Sequence, residues 1–329
     1  MKTLFTGIQP TGELHMGNYF GAVKNWVMLQ DSYKSYFSIV DYHAITIEYE
    51  PAEMQKKIFD LACGLIACGI NPDTSRLFVQ SEVPGHADLT WIFNSVTPIG
   101  ELERMTQYKD KSQQHRKNIN VGLLDYPVLQ AADILIYKAE VVPVGEDQVQ
   151  HIELTREVSR YFNRRYGDVF PEPDALLTKT PRIVGLDGSA KMSKSKGNSI
   201  ALFESREEIW EKLRPAATDP ARIKRTDPGT PEKCTLWSYH VLFSPEAEQK
   251  EIHEGCSTAG IGCIDCKKKL LENVMNEFDP LREKYYTLQS KPQEIRDKLD
   301  TNAQACRQAA AATIREVKEK MGLKPLWKI

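Results

Sequence analysis

A doubly wound parallel α/β sheet followed by an all-helical C-terminal domain is the fold this sequence predicts. Short β-rich runs alternate with helical periodicities through the first half, Gly/Pro turns follow strands, and strand signals thin out beyond residue 200. Lys2 to Thr6 reads as the first strand, followed by a glycine turn and a helix from about Leu14. Tyr36 to Val40 is the next strand. Met54, Ile58, Leu61, Leu65 and Cys68 recur at helical spacing, so a helix spans Ala52 to Cys68 and stops at Gly69-Ile70-Asn71-Pro72. Arg76 to Gln80 is strand again, as is the apolar run from Val141. Strand, helix and strand in short succession imply right-handed crossovers, and ligands of such sheets bind beyond the carboxyl ends of the strands.

Gly185 to Ser199 is a loop rich in Gly, Ser and Lys, and Ser205-Arg206-Glu207-Glu208 has the spacing of a capping box opening a new helix. At 329 residues the chain exceeds the size at which one core stops growing. The boundary therefore falls near residue 200, giving domains 1–200 and 201–329. In the second, Ser244-Pro245 opens a helix that Gly255 ends, and Asn302 to Met321 forms an Ala-rich last helix.

Composition excludes disorder and fibrous architectures, with 41% apolar and 27% charged residues. The opening residues contain no secretory core, and no run of about 18 apolar residues suggests a membrane span. A cytoplasmic protein without a membrane partner is expected. A net charge of −2 argues against wholesale attraction to a polyanion, so nucleic-acid contact requires a local basic surface.

Four segments carry chemistry. In Gln9-Pro10-Thr11-Gly12-Glu13-Leu14-His15-Met16-Gly17-Asn18, glycines allow close backbone approach, while His15 and Asn18 lie three apart at a positive helix end suited to phosphate. An ordinary turn and cap is the alternative. Lys191-Met192-Ser193-Lys194-Ser195 puts two ammonium groups on a loop rich in small residues, able to stabilise charge on leaving phosphates or simply to be solvated. The run Val141 to Gln148 reads as a buried strand ending in a polar turn, where Asp147 can accept from ribose hydroxyls and Gly145 leaves room for the sugar. Asp133 stands in the apolar stretch Gln130-Ala131-Ala132-Asp133-Ile134-Leu135, and a buried carboxylate requires a donor. An indole N–H would suit it, although the residues alone favour a helix-capping or salt-bridged Asp over a ligand contact.

Taken together, His15-Met16-Gly17-Asn18 and Lys191 to Ser195 resemble the paired HIGH and KMSKS signatures of class I aminoacyl-tRNA synthetases. Asn18 in the last place is the form of the tryptophan and tyrosine subgroup. Asp41-Tyr42-His43-Ala44-Ile45-Thr46, Gly100 to Tyr108, Tyr126 to Tyr137 and Gly145 to Arg156 extend the likeness to bacterial-type tryptophanyl-tRNA synthetases, with departures at Thr6 and Gln130. The resemblance implies a Rossmann-like catalytic domain and a helical anticodon-binding domain. It implies an ATP site of Gln9, Pro10, Thr11, Gly17, Asn18, Gly145, Glu146, Asp147, Ile183, Lys191, Met192, Ser193, Lys194 and Ser195, with His15, Asn18, Lys191, Lys194 and Ser195 catalytic. Phe5, His43, Tyr126, Asp133 and Gln148 would hold tryptophan, Asp133 taking the indole nitrogen and Tyr126 and Gln148 facing the amino group. Mg²⁺ would accompany ATP, tRNA(Trp) would be the acceptor, and a homodimer is expected on the same ground.

Seven cysteines without an export signal read as thiols or metal ligands. Cys234, Cys256, Cys263 and Cys266 form Cys-x21-Cys-x6-Cys-x2-Cys, a set able to hold a [4Fe–4S] cluster or Zn²⁺. Four incidental thiols are the alternative. Some members of the family carry an iron–sulfur cluster in the helical domain on nearly this spacing, so the resemblance favours iron. The adjacent Lys267-Lys268-Lys269 would present positive charge to tRNA. Cys63, Cys68 and Cys306 read as core. Competing readings are a tyrosyl-tRNA synthetase, a small-molecule nucleotidyltransferase, and a redox-sensing iron–sulfur protein on a synthetase scaffold. Exchange of pyrophosphate into ATP, driven by one amino acid or another, separates them.

Overall fold

The computed structural model describes residues 1–108, 119–177, 183–188, 192 and 197–323. The chain divides into two compact units, one of Met1–Gly12, Lys24–Lys179 and Lys291–Ile329, the other of Glu13–Val23 and Thr180–Ser290. Helices are α1 (Pro51–Ala67), α2 (Gly85–Asn94), α3 (Val121–Leu135), α4 (Val149–Tyr166), α5 (Arg206–Leu213), α6 (Thr235–Phe243), α7 (Glu246–Ser257), α8 (Cys263–Gln289) and α9 (Pro292–Lys320), with shorter helical turns between some of them.

The first unit is built on the expected parallel sheet. Strands β1 (Thr3–Ile8), β2 (Lys34–Ile39), β3 (Arg76–Val79), β4 (Val141–Val144) and β5 (Asp174–Leu177) lie in the order β3-β2-β1-β4-β5. Succession runs outward in both directions from the β1/β4 pair, which makes this the switch point at which such sheets bind ligands. β1 pairs with β2 along six residues, from Thr3↔Lys34 to Ile8↔Ile39, but with β4 only at Leu4↔Val141. Pairing to β1 has ended before Pro143, a residue with no N–H to give. The two central strands therefore part toward their carboxyl ends.

Sequence patterning explains the packing around the sheet. Val141 to Val144 are all buried, as strands covered on both faces require. Glu50 accepts from the Ala52 N–H and Pro51 takes the first position of α1. That helix buries Ile58, Leu61, Leu65 and Ile66, and Gly69 at φ +115° turns the chain out of it.

The boundary expected near residue 200 does not describe the compact units. Ile295, Leu299, Ala303, Cys306, Ala310, Ile314 and Val317 recur at helical spacing and are buried, so α9 returns to the sheet unit. Arg76 donates to Asn302 Oδ1 at 3.2 Å, and Asn302 Nδ2 donates to the Pro72 carbonyl at 3.0 Å. A Cβ built on Gly85 would lie 3.1 Å from the Ala310 Cβ. Small residues on both sides, Gly85 and Ala310, let α2 and α9 meet closely.

In the second unit α8 forms the spine, burying Leu270, Leu271, Val274, Met275 and Phe278. The expected capping box opens α5: Ser205 accepts from the Glu208 N–H and the Glu208 carboxylate accepts from the Ser205 N–H. Helix α7 runs through Gly255 to Ser257 rather than ending at the glycine. Among the described residues no helix is long and apolar enough to cross a membrane.

Ala310→Leu is expected to overpack the α2/α9 contact and to destabilise the protein by about 1–3 kcal/mol. Urea unfolding followed by circular dichroism checks this.

Candidate active site

Asp133 occupies the last turns of α3 and is 1% exposed. An ionised carboxylate only accepts, so each neighbour must donate. His43 Nε2 lies 2.8 Å from Oδ2, and Gln80 Nε2 and His86 Nδ1 lie 2.7 and 2.6 Å from Oδ1. Burial alone would raise this carboxyl's pKa, but the donors from His43 and His86 more than offset it and hold the pKa below the ordinary value. His43 follows β2, Gln80 follows β3, and His86 is the second residue of α2. Two successive βα connections, the one after β2 and the one after β3, thus converge on one side chain. Gln80 and His86 are the members that sequence reading missed. Their signal is that both are fully buried polar residues among apolar neighbours, a property no local pattern reveals.

Tyr126 stands seven residues before Asp133, on the same face of α3. Its hydroxyl meets His151 Nε2 at 2.9 Å, its ring lies 6.4 Å from that of His43, and burial pushes its pKa up to about 12. Phe5 on β1 stacks on Tyr137 at 5.9 Å, and Tyr137 in turn reaches His86 at 2.8 Å. Phe5, His43, Tyr126 and Asp133 are thereby tied into one cluster. Gln148 stands apart from it in bonding, its amide donating to Asp147 Oδ2 at 3.2 Å.

The carboxyl ends of β1 and β4 carry the other first-unit candidates. Gln9, Pro10 and Thr11 follow β1, while Gly145, Glu146 and Asp147 follow β4 and are exposed. Asp147 is held by Gln107, whose amide donates to its carbonyl at 3.1 Å. A Cβ on Gly145 would come within 2.9 Å of Asp147 Oδ1, so glycine lets the carboxylate fold back over the turn. The cleft of about 420 Å³ lined by Tyr42, Ile45, Trp91, Asp125, Tyr126 and Leu129 shares only Tyr126 with these candidates.

In the second unit His15 caps the short helical turn Met16–Asn18. His15 Nδ1 accepts from the Asn18 N–H at 3.3 Å, and Asn18 Oδ1 accepts from the His15 N–H at 3.2 Å. A neutral ring accepting at Nδ1 carries its proton on Nε2. A Cβ at Gly17 would stand 2.8 Å from His15 Cε1 and 3.9 Å from Met192 Sδ. Glycine is therefore what lets the imidazole lie over this turn, with Met192 beside it. The segment also pairs with the chain just beyond the lysine loop, Met16 N–H to Ile200 O and Leu202 N–H to Leu14 O, each 2.9 Å. Ile183 and Met192 are buried. Lys191, Ser193, Lys194 and Ser195 lie outside the described residues.

The four cysteines also fall in the second unit. Cys234 precedes α6, Cys256 is in α7, and Cys263 and Cys266 share the first turn of α8. Burial pushes the Cys266 thiol up to about 12, and the charges of Cys234, Cys256 and Cys263 add to this. Arg222 approaches Cys256 Sγ at 3.6 Å and His240 Nε2 approaches Cys266 Sγ at 3.2 Å. The donor chemistry suits a soft metal and the thiols sense one another. Even so, among the described residues no three His, Cys, Asp or Glu side chains form a group able to hold a metal ion. This arrangement supports neither the [4Fe–4S] cluster nor the Zn²⁺ expected from spacing. The lysine run is corrected as well. Lys267 is buried and donates to the carbonyls of Arg214 and Ala216 at 2.6 and 2.9 Å, and Lys269 pairs with Glu251 at 3.1 Å. Only Lys268 of the three is exposed.

A parallel sheet with ligand candidates at its switch point, and a His-x-Gly-Asn turn packed beside Met192, define a nucleotide-binding α/β enzyme. The family of class I tRNA synthetases (W and Y) matches residues 1–279, and the chain belongs to that family. It is 51% identical to the tryptophan–tRNA ligase of Deinococcus radiodurans over 98% of this chain and 99% of the relative. It is 46% identical to the tryptophan–tRNA ligase of Thermotoga maritima, over 97% and 99%. The tryptophanyl-tRNA synthetase of Campylobacter jejuni, solved in complex with ADP and tryptophan, superposes with a TM-score of 0.89 at 36% identity, covering 97% of this chain and 99% of that one.

The lowered pKa of Asp133 implies a pH dependence of stability. Its folded value is below its unfolded value of about 3.9, so its contribution is present above that pH and lost as pH falls through the folded value. Asp133→Asn is expected to flatten the acid limb of the stability curve by up to about 1.4 kcal/mol per pH unit. Urea titrations between neutral pH and the acid transition measure it.

Proposed function

We propose that this chain is a tryptophan–tRNA ligase that activates L-tryptophan with ATP and transfers it to tRNA(Trp). The buried Asp133 carboxylate carries the amino-acid part of this reading. An acceptor fixed in an apolar setting matches an indole, which offers one N–H and no acceptor. Phe5, His43, Tyr126 and Gln148 complete the tryptophan set, Tyr126 and Gln148 toward the amino group. The names of the full-length relatives support the same substrate.

Toward ATP the first unit offers Gln9, Pro10, Thr11, Gly145, Glu146 and Asp147. The second offers His15, Gly17, Asn18, Ile183 and the Lys191 to Ser195 loop with Met192. A tryptophan carboxylate oxygen attacks the α-phosphorus in line, forming the mixed anhydride as the bond to the bridging oxygen breaks and pyrophosphate leaves. Nε2–H of His15, the Asn18 amide, Lys191, Lys194 and Ser195 stabilise the charge that builds on the phosphates. When bound, Mg²⁺ neutralises part of the same charge. In the second step the 2′-hydroxyl of the terminal adenosine attacks the activated carbonyl and AMP departs. No side-chain nucleophile is needed. A pocket whose buried acceptor requires a donor rejects ligands that lack one, which lessens the need for an editing step.

The helical part within residues 201–329 is the proposed anticodon-reading region, and charging tRNA for translation implies the cytoplasm as its compartment. A homodimer through the first unit is supported by apolar side chains left in water, Trp91 at 78% and Val121 at 79% exposure. The iron–sulfur reading rests on the Cys-x21-Cys-x6-Cys-x2-Cys spacing and on the donor chemistry. Iron and zinc analysis with a visible spectrum of freshly purified protein decides it: absorbance near 400 nm with about four irons per chain supports a cluster, and metal-free protein removes both options.

Pyrophosphate exchange into ATP is expected with tryptophan and not with tyrosine. Lys194→Ala is expected to slow that exchange by about 10²–10³-fold without changing unfolding. Exchange driven by tyrosine alone would overturn the assignment.

A further inference from the structure

We propose that His86 is a positioning residue for ligand recognition, fixing the Asp133 carboxylate so that Oδ2 is the oxygen turned to an incoming N–H. This rests on the reading of Asp133 as the indole acceptor. His86 is fully buried and cannot itself meet the ligand. What it does is occupy Oδ1, at 2.6 Å, together with Gln80 at 2.7 Å. Each carboxylate oxygen has about two lone pairs, so two donors fill Oδ1, whereas among the described residues Oδ2 meets His43 alone. The remaining acceptor position is therefore on Oδ2.

Occupation matters because the terminal torsion of Asp is soft and roughly two-fold. With only His43 bonded the carboxylate could turn and aim its second lone pair elsewhere. Gln80 and His86 come from different elements, the end of β3 and the start of α2, and two bonds to one oxygen remove that freedom. His86 is locked in turn. Its Nδ1 must carry the proton it gives to Asp133, and its Nε2 meets the Tyr137 hydroxyl at 2.8 Å. Tyr137 is held between Tyr36, stacked at 4.3 Å, and Phe5, stacked at 5.9 Å. A ring flip of His86 would break contacts at both nitrogens. The outcome is discrimination: a ligand with an N–H gains from an aimed oxygen, and an isostere without one does not.

The test compares exchange kinetics with tryptophan and with β-(benzothiophen-3-yl)alanine, in which sulfur replaces the N–H, for the intact protein and for His86→Gln, His86→Asn and Asp133→Asn. Thermal unfolding of each variant is measured alongside. His86→Gln keeps an amide near Nε2 for Tyr137 but loses the donor to Asp133. It is expected to lower kcat/KM for tryptophan by about 10–100-fold, mainly through KM, while the isostere changes little. His86→Asn keeps a donor near Nδ1 and is expected to restore the preference for tryptophan. Equal losses with both ligands in His86→Gln would mean a structural role and overturn the proposal. If Asp133→Asn abolishes the preference while His86→Gln retains it, His86 alone is excluded. If Asp133→Asn itself retains it, the indole-acceptor reading falls and the His86 role with it.

Discussion

Burying an ionised carboxylate inside an apolar helix costs several kcal/mol unless its oxygens are matched by donors. In this protein the donors of Asp133 come from positions 43, 80 and 86, and two of them are imidazoles that burial alone would keep from water. His43 must be placed by the connection after β2, and Gln80 and His86 by the one after β3, each within tenths of an ångström. The segment after β2, the end of β3 and the start of α2 are accordingly tied to α3 through one side chain. In the proposed reading, the same carboxylate that constrains the fold is also the acceptor on which the choice of amino acid turns, so that stability and specificity share it.

Around that centre the sheet supplies direction. Strand order β3-β2-β1-β4-β5 puts the reversal at β1/β4, and single-residue pairing there lets the carboxyl ends part. The segments following those two strands hold Gln9, Pro10 and Thr11 on one side and Gly145, Glu146 and Asp147 on the other. In the second unit backbone bonds from Leu14 and Met16 to Ile200 and Leu202 tie the His15 turn to the chain after the lysine loop. The two signature segments lie some 175 residues apart in sequence. The main-chain hydrogen bonds that join the first of them to Ile200 and Leu202 are ones that residue identity does not advertise.

Much of this was legible in the residues because it depends on local chemistry. Strands β1 to β3 and helix α1 lie within a residue or two of where period and punctuation put them, and the Ser205/Glu208 capping box formed as its spacing implies. Asp133 stood out as a charge in an apolar run. Its partners did not, since Gln80 and His86 are 53 and 47 residues distant and an isolated polar residue has many possible uses. The return of α9 to the sheet unit was hidden for a related reason: amphipathic spacing announces that a face is buried and not against what. Lys267 to Lys269 misled because consecutive residues on a helix point about 100° apart, so a run in sequence is not a patch in space. One of those ammonium groups instead caps carbonyls at the end of α5. The cysteine spacing, finally, brought the thiols within electrostatic reach of one another without a metal-binding group among the described residues.

The most direct measurement of the central claim is a crystal structure of the protein with tryptophan bound. The account expects the indole nitrogen about 3 Å from Asp133 Oδ2, with Oδ1 still held by Gln80 and His86. Tryptophan bound with its indole nitrogen facing any other group, or with Oδ1 as its acceptor, would contradict it.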